Sequence, residues 1–265
     1  MPIALTIAGS DSGGGAGIQA DLKTFAALGV YGTSVVTALT AQNTRAVTSV
    51  LETPAAMVAA QMQAVFDDFA VAAIKIGMLS SPELIAVVAH HLAGRRCPIV
   101  LDPVMVAKSG DSLLQEGALP LLRELLLPQA TLLTPNLPEA AHLLACAEAT
   151  SEAEAVAQGR ALLDLGAKAV LMKGGHAEGD VCVDLLIQRD VPLLRVATPR
   201  IDTPHTHGTG CTLSSAIAAG LARGRTLGEA FVEAHAYLQG AIRAGDRFRV
   251  GSGRGPVHHF HQIWK

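Results

Sequence analysis

The sequence predicts an α/β fold in which helices cover a mostly parallel β-sheet. Short apolar runs alternate with longer amphipathic runs almost throughout the chain, as expected of strands joined by helical crossovers. Half of the residues are hydrophobic, 16% are charged and 3% are aromatic, which suits helices packed tightly on a sheet and argues against disorder. The 265 residues fit a large single domain and contain no Pro-, Gly- and Ser-rich linker, so we expect residues 1–265 to form one domain.

The individual elements follow from the period of the apolar residues and from the residues that stop them. Strands are predicted over residues 3–8, 34–39, 73–76, 98–101, 131–133, 169–172 and 181–187. Helices are predicted over residues 17–28, 54–69, 82–92, 113–126, 137–144, 151–165, 208–222 and 227–244. Pro54 and Pro82 fall in first turns, where the missing N–H is not needed. Gly29, Gly94 and Gly166 follow helix ends, as helix stop signals do.

Charge and hydropathy narrow the range of partners. The formal net charge is −3, and no basic run is longer than Arg95-Arg96, so nothing favours nucleic acid or an anionic membrane as a partner. The apolar run before Ser10 is too short for a signal peptide, and no other run approaches the ~20 residues of a membrane helix. The four cysteines form no C-x-x-C pair. We therefore expect a reduced, cytoplasmic protein that acts on small molecules.

Polar residues follow four of the predicted strands. They occupy residues 9–17, 102–105, 134–136 and 173–176, after the first, fourth, fifth and sixth strands. In open α/β sheets ligands bind beyond the carboxyl ends of the strands. The pattern therefore predicts one long cleft at that edge of the sheet.

The most informative segment is the beginning of the predicted 208–222 helix. It is His207-Gly208-Thr209-Gly210-Cys211-Thr212-Leu213-Ser214. The glycines on either side of Thr209 let successive N–H groups converge, and the positive end of the helix points at the same place. We predict that Gly208, Thr209 and Gly210 form an anion hole for a phosphate or for a phosphoryl group in transit. Cys211 would lie beside it with its thiolate favoured by the helix N-terminus, the alternative being an inert core thiol.

A second glycine-rich loop covers residues 9–17. It is not a dinucleotide fingerprint, because Ile18 stands where the third glycine is needed, and it lacks the G-K-[ST] of a P-loop. What remains is a strand-to-helix turn with bare backbone and hydroxyl groups. It suits a small polar ligand, with a plain tight turn as the alternative.

Two charged residues end predicted strands. Lys173 precedes a glycine pair and is placed to meet a nucleotide phosphate, unless it is a snorkelling surface lysine. Asp102 ends a buried strand, where an ionised carboxylate needs a metal ion, a lysine or a substrate as its partner.

Asn136 and Glu139 are three residues apart, a spacing that predicts one helix face for both. Oxygen ligands of this kind suit a largely hydrated Mg²⁺ ion, so we expect a water-mediated magnesium site. The alternative for Glu139 is an ordinary acidic residue in a first helical turn.

Taken together, these segments resemble the hydroxymethylpyrimidine/phosphomethylpyrimidine kinases of thiamine biosynthesis, a branch of the ribokinase-like superfamily. The resemblance runs from end to end and is carried by residues 5–24, 37–44, 75–79, 102–110, 134–139, 172–176, 208–211 and 255–261. The superfamily usually has Asp after its G-T-G or G-A-G motif, whereas this branch has Cys, as here. The resemblance implies a three-layer α/β/α ribokinase-like fold and a homodimer. It also implies ATP and Mg²⁺ as cofactors, and phosphorylation of 4-amino-5-hydroxymethyl-2-methylpyrimidine and then of its monophosphate.

The resemblance also assigns a substrate pocket. Gln42 and the backbone near Gly9 and Val104 would bind the aminopyrimidine, and Asp21 and Met78 would complete the pocket.

A second set of residues would handle the phosphoryl group. Cys211 would take the proton of the substrate hydroxyl beside the amides of residues 208–211. ATP phosphates and Mg²⁺ would be organised by Lys173, Asn136, Glu139 and Asp102.

Other functions remain open at this point. One is a pyridoxal (vitamin B6) kinase of the same superfamily, and another is a catalytically silent pyrimidine-binding domain. The sequence also leaves open whether Cys211 acts as a base or only positions the substrate, and whether residues 13–17 or 108–111 close over it.

Overall fold

The computed structural model describes residues 1–105, 114–176, 179–247 and 249–264. The strands are β1 Ile3–Ala8, β2 Tyr31–Val36, β3 Ala38–Gln42, β4 Val47–Glu52, β5 Ala73–Ile76, β6 Ile99–Leu101, β7 Leu132–Leu133, β8 Ala169–Met172, β9 Val181–Gln188 and β10 Leu194–Pro199. The helices are α1 Gly17–Ala27, α2 Ala55–Asp68, α3 Pro82–Leu92, α4 Ala118–Leu121, α5 Leu137–Leu144, α6 Glu152–Asp164, α7 Thr209–Ala222 and α8 Leu227–Arg243.

The central sheet has eight strands in the order β10-β9-β8-β7-β6-β5-β1-β2. Strands β2, β1, β5, β6, β7 and β8 are parallel, and β9 is antiparallel to both of its neighbours. The mostly parallel sheet predicted from the sequence is therefore confirmed. A separate antiparallel hairpin of β3 and β4 stands outside this sheet.

Helices cover both faces of the sheet and give three layers. Residues of α2, α3, α5 and α6 form one apolar cluster with Leu5 and Ile7 of β1. Residues of α1, α7 and α8 form a second cluster with Ala4 of the same strand. The alternation of Ala4, Leu5 and Ile7 between the two clusters follows from the two-residue period of a strand. The α/β/α layering is thereby confirmed.

Three strands of the central sheet were predicted with their observed bounds. Strands β1, β5 and β8 have the predicted bounds. All four residues of β8 are buried, as expected of a central parallel strand with helices on both faces.

One predicted strand is wrong. The sequence predicts a single strand over residues 34–39, but β2 ends at Val36 and β3 begins at Ala38 in the separate hairpin. Thr37 lies between them, and its N–H bonds Ala8 O while its hydroxyl donates to Met78 O. These bonds anchor the chain at the point where it leaves the main sheet.

Other elements were missed or misplaced. Strands β4 and β10 were not predicted, because both are exposed or half-buried and lack a continuous apolar run. The predicted 113–126 helix begins at Ala118 as a short α-helix and continues as a π-helical turn over Leu122–Leu126. Residues 108–111, one of the two candidate closing segments, lie outside the described residues.

The topology places the polar strand ends together. Because β1, β5, β6, β7 and β8 run in one direction, the loops after them meet at one edge of the sheet. Helix α7 packs on the sheet with its N-terminus at the same edge, lined by residues of those loops. Within the described ranges, no helix is both long and apolar enough to cross a membrane.

Candidate active site

A cavity of about 1160 Å³ opens at the carboxyl ends of the parallel strands. It is lined by twelve of the thirteen predicted site residues: Gly9, Gln42, Met78, Asp102, Val104, Asn136, Glu139, Lys173, Gly208, Thr209, Gly210 and Cys211. The predicted cleft is therefore present, and residues distant in sequence meet in it.

Asp21 is the exception. It is fully buried in α1 and binds Lys75 Nζ at 2.8 and 2.9 Å. Its oxygens also accept the hydroxyls of Thr6 at 2.6 Å and Ser215 at 2.5 Å. With every acceptor site engaged inside the core, Asp21 supports the pocket from within and does not face the substrate side, contrary to our expectation.

The segment that we predict to form an anion hole lies at the N-terminus of α7. Gly208 caps the helix with φ +81°, a left-handed conformation that favours glycine. A side chain there would also collide with the carbonyl oxygen of Gly15, which lies 1.9 Å from the ideal Cβ position. Gly208 is required on both counts. The N–H groups of Thr209, Gly210 and Cys211, in the first turn, belong to the groups that have no partner within a helix.

Cys211 lies in the first turn of α7, half-buried at the cavity wall. The expectation of a favoured thiolate is wrong, because burial raises the pKa of the Cys211 thiol. The positive charge of Lys75 and the Gly17 N–H act in the opposite direction but do not outweigh burial and the nearby carboxylates. The thiol is therefore mostly protonated at neutral pH, and a base role would grow as rising pH increases the thiolate fraction.

Lys173 and Asp102 form an ion pair at the wall of the cavity. Lys173 Nζ lies 2.8 Å from Asp102 Oδ1 and 3.8 Å from Glu139 Oε2. Burial disfavours both charges, but the pair outweighs it: the pKa of Lys173 is raised and the pKa of Asp102 is lowered. Thr134 adds a hydrogen bond to Asp102 Oδ1 at 3.0 Å. Lys173 is thus one of the partners that the sequence predicts for Asp102.

Asn136 and Glu139 form a capping box at the start of α5, in which Asn136 is the residue just before the helix, and both residues line the cavity. Asn136 Oδ1 accepts the Glu139 N–H at 2.8 Å, and Glu139 Oε2 accepts the Asn136 N–H at 2.8 Å. Burial, reinforced by the Asp102 charge, raises the pKa of Glu139 to about 7. The carboxyl is therefore poised to ionise when a cation approaches.

The 9–17 loop and the β3–β4 hairpin also line the cavity. The Ser12 hydroxyl donates to Gln42 O at 2.8 Å and accepts the Gln42 N–H at 2.7 Å. Gly9 leaves room for Met78, whose sulfur would be 3.4 Å from a Cβ at that position. These contacts hold Gln42, Gly9 and Met78 around one pocket.

Sequence reasoning missed two residues that join the glycine-rich loops. His207 Nε2 lies 2.9 Å from Asp11 Oδ2, and both residues line the cavity. An acidic residue two positions before a run of glycines is a signal for a carboxylate bound by backbone N–H groups, and it could have been used.

A family model described as phosphomethylpyrimidine kinase matches residues 11–258. The chain belongs to the phosphomethylpyrimidine kinase family.

Relatives in this family cover nearly the whole chain. A hydroxymethylpyrimidine/phosphomethylpyrimidine kinase from Rhizobium meliloti is 58% identical over 99% of this chain and 98% of its own length. One from Salmonella typhimurium is 54% identical over 98% of each. As a member of the phosphomethylpyrimidine kinase family, the protein is an ATP-dependent phosphotransferase.

Solved structures show the same fold. An ADP complex of Bacillus subtilis pyridoxal kinase superimposes with a TM-score of 0.91, at 36% identity and full coverage of both chains. A phosphomethylpyrimidine kinase from Clostridium difficile gives a TM-score of 0.81 at 43% identity, over 91% of this chain and 100% of that one. The ribokinase-like fold implied by the sequence resemblance is confirmed for this member of the phosphomethylpyrimidine kinase family.

Proposed function

We propose that the protein transfers the γ-phosphoryl group of ATP to the hydroxymethyl group of 4-amino-5-hydroxymethyl-2-methylpyrimidine, and then to the phosphate of that product, in thiamine biosynthesis. The whole of residues 1–265 would act as one kinase domain. The observation that carries the proposal is the shared cavity, which is lined by Gln42, by Lys173 and by residues 208–211. Relatives that are 58% and 54% identical bear the names of kinases for both steps.

Phosphoryl transfer needs in-line positioning and charge stabilisation more than covalent chemistry. Gln42, the backbone near Gly9 and Val104, and Met78 would hold the pyrimidine. The N–H groups of residues 208–211 would bind the phosphoryl group at the positive end of α7. Cys211 would accept the hydroxyl proton or position the hydroxyl.

The nucleotide phosphates would meet Lys173, whose ammonium stays charged beside Asp102. The donor set at Asp102 and Glu139 fits a divalent cation: Glu139 is a buried carboxyl with a pKa of about 7, and a cation would stabilise its ionised form. Asn136 would act mainly by fixing Glu139 through the capping box. When bound, Mg²⁺ would neutralise charge on the phosphates.

The second acceptor carries a phosphate of its own, which calls for a further cation. Arg254 lines the cavity, and its guanidinium makes no ion pair or hydrogen bond within the described part of the chain. The other lysines and arginines that line the cavity are engaged, Lys75 by Asp21, Lys173 by Asp102 and Arg200 by carbonyl groups. The Arg254 N–H bonds Thr44 O at 2.9 Å and so fixes the residue over the β3–β4 hairpin. We assign to Arg254 the recognition of the acceptor phosphate.

The test is a turnover assay with ATP and the pyrimidine alcohol, in which ADP release and the mono- and diphosphate products are followed by mass spectrometry. Both products should form in order. Absence of the monophosphate would refute the first step, and accumulation of monophosphate alone would refute the second.

A pyridoxal kinase activity is the second candidate, favoured by the similarity to the Bacillus subtilis pyridoxal kinase. Equimolar pyridoxal and pyrimidine alcohol, offered with limiting ATP, discriminate between them. We expect the pyrimidine to be phosphorylated first. Bound pyrimidine without any ADP release would instead indicate a silent binding domain.

We also propose a cytoplasmic homodimer. Leu39 and Leu51 pair across the β3–β4 hairpin and are more than half exposed, on the side away from Gln42. A second copy of the chain would cover this pair. Light scattering should give a dimer for the wild type and a monomer for Leu51→Glu, and a monomeric wild type would contradict the assembly.

A further inference from the structure

The two glycine-rich loops of this chain touch each other. A Cβ on Gly15 would come 2.4 Å from His207 Cδ2, and a Cβ on Gly208 would come 1.9 Å from Gly15 O. The Gly17 N–H also acts on the Cys211 sulfur. The 9–17 loop, which we assign to the substrate pocket, therefore contacts both ends of the anion-hole segment, residues 207–211.

One carboxylate organises this contact. Asp11 Oδ1 accepts the Gly13 N–H at 2.8 Å, and Oδ2 accepts the N–H groups of Gly15 at 2.9 Å and Ala16 at 2.8 Å. Oδ2 also lies 2.9 Å from His207 Nε2, which donates to it. Asp11 thus shapes the first loop and ties it to the residue that precedes the helix cap Gly208.

The backbone of His207 is also held by a second segment, residues 255–257. Its N–H donates to Gly255 O at 3.0 Å, and its carbonyl accepts the Val257 N–H at 3.4 Å. Burial would raise the pKa of Asp11, but the hydrogen bond and charge of His207, with the loop N–H groups, lower it. The carboxylate is therefore ionised across the neutral range and always available to His207.

We infer that Asp11 and His207 are positioning residues that set the anion hole against the bound acceptor. The inference rests on the proposed function, since it assigns the 9–17 loop to the acceptor and residues 208–211 to the phosphoryl group. The Asp11–His207 bond fixes the distance between the two reacting partners. Loss of such alignment lowers the rate of transfer, while contacts that bind the pyrimidine in the ground state remain.

The test compares His207→Leu, which cannot bind Asp11, with His207→Gln, whose amide N–H can. We expect His207→Leu to lower kcat for the pyrimidine alcohol by about 100-fold with KM changed less than about threefold. The kcat of His207→Gln should be at least about tenfold higher than that of His207→Leu. His90→Leu, which removes an exposed imidazole from α3, is the matched control and should leave both constants unchanged.

A double variant provides a further check. If Asp11 and His207 act through their bond, Asp11→Asn combined with His207→Leu should be no slower than the slower single variant. Multiplicative losses, unchanged kcat in His207→Leu, or equal losses in His207→Leu and His207→Gln would each overturn the inference.

Hydrogen exchange separates this inference from the function itself. The amides of residues 208–211 should exchange faster in His207→Leu than in the wild type, without any substrate present. A wild type that leaves the pyrimidine unphosphorylated would refute the proposed function, while exchange would still decide the inference. Unchanged exchange at residues 208–211 would overturn it.

Discussion

Lys75 and Asp21 form an ion pair in the core, with Nζ 2.8 Å from Oδ2 and both side chains without solvent exposure. Both charges are close enough to Cys211 to act on the pKa of its thiol. The pair thus links the stability of the fold to the electrostatics of the cavity wall.

Replacing Lys75 with Met should therefore destabilise the protein strongly. The substitution leaves the Asp21 carboxylate buried without its cation, which costs about 3–5 kcal/mol of unfolding free energy. Urea unfolding followed by circular dichroism measures this loss. The matched control is Asp164→Asn, which breaks the exposed Arg189–Asp164 pair and should cost less than about 1 kcal/mol. Equal effects of the two variants would contradict the importance of burial.

Cys211→Ala should lower kcat by about 10²–10⁴-fold if the thiol accepts the hydroxyl proton. Since burial raises the pKa of this thiol, kcat/KM of the wild type should keep rising with pH beyond about 8.5, the ordinary cysteine pKa. Cys146→Ala removes an exposed thiol and should change neither quantity. A near-wild-type rate in Cys211→Ala would remove the thiol from the mechanism. Loss of one phosphorylation step alone would refute a shared site.

Glu139→Gln should change how stability depends on pH. The folded-state pKa of about 7 exceeds the ordinary 4.5, so the folded protein binds more protons than the unfolded chain between these values. Glu139 therefore makes the wild type lose stability as pH rises from about 4.5 to 7. Gln keeps an acceptor for the Asn136 N–H and removes this loss. Urea unfolding at pH 5, 6 and 7 measures the difference.

The exposed capping box of α8 provides the control for Glu139. There Glu229 accepts the Thr226 N–H, and the bonds from Thr226 lower the pKa of the carboxyl. Its contribution is lost only as pH falls below the ordinary value, so Glu229→Gln should not alter the slope between pH 5 and 7. Parallel slopes for Glu139→Gln and the wild type would refute the shifted pKa.

Gly208→Ala and Gly224→Ala separate backbone strain from loop contact. The two glycines have nearly equal φ values, +81° and +80°, but a Cβ meets Gly15 O only at Gly208 and open space at Gly224. Both variants should lose about 1 kcal/mol of stability from the left-handed backbone. Gly208→Ala should in addition abolish turnover. Its Cβ would collide with Gly15 O, so the two glycine-rich loops would have to move apart. Steady-state kinetics of both variants measures this difference. Similar losses of kcat in the two variants would argue against a role for the contact between Gly208 and Gly15 in turnover.

Arg254→Met tests recognition of the second acceptor. We expect KM for the pyrimidine monophosphate to rise by about tenfold, with KM for the alcohol unchanged, since charge-assisted bonds to a phosphate are worth about 1.5–3 kcal/mol and an exposed one less. Arg160→Met alters net charge equally on the exposed side of α6 and should affect neither constant. Equal changes for both acceptors would assign Arg254 to general electrostatic attraction.

Much of this architecture was predictable because buried strands appear in the sequence as short runs of apolar residues. The mostly apolar runs of β1 and β8, and the polar residues that follow them, predicted both the sheet and the cavity edge. The Gly208 conformation followed from residue type alone. These features depend on local sequence and on rules that hold for all parallel sheets.

The remaining features depend on contacts between distant segments. No local pattern shows that Thr37 bonds Ala8 and Met78 and thereby sends the chain into a separate hairpin. Asp21 was misplaced because its partners Lys75 and Ser215 come from other elements. The raised pKa of Cys211 likewise reflects burial by the assembled fold, which outweighs the helix terminus.

The attachment of His207 to Gly255 and Val257 has a consequence for folding. These partners follow His207 only after helices α7 and α8, so the turn at Gly208 is braced once a segment distant in sequence has docked beside it. Local unfolding of residues 255–257 would therefore loosen this turn while the central sheet stays folded.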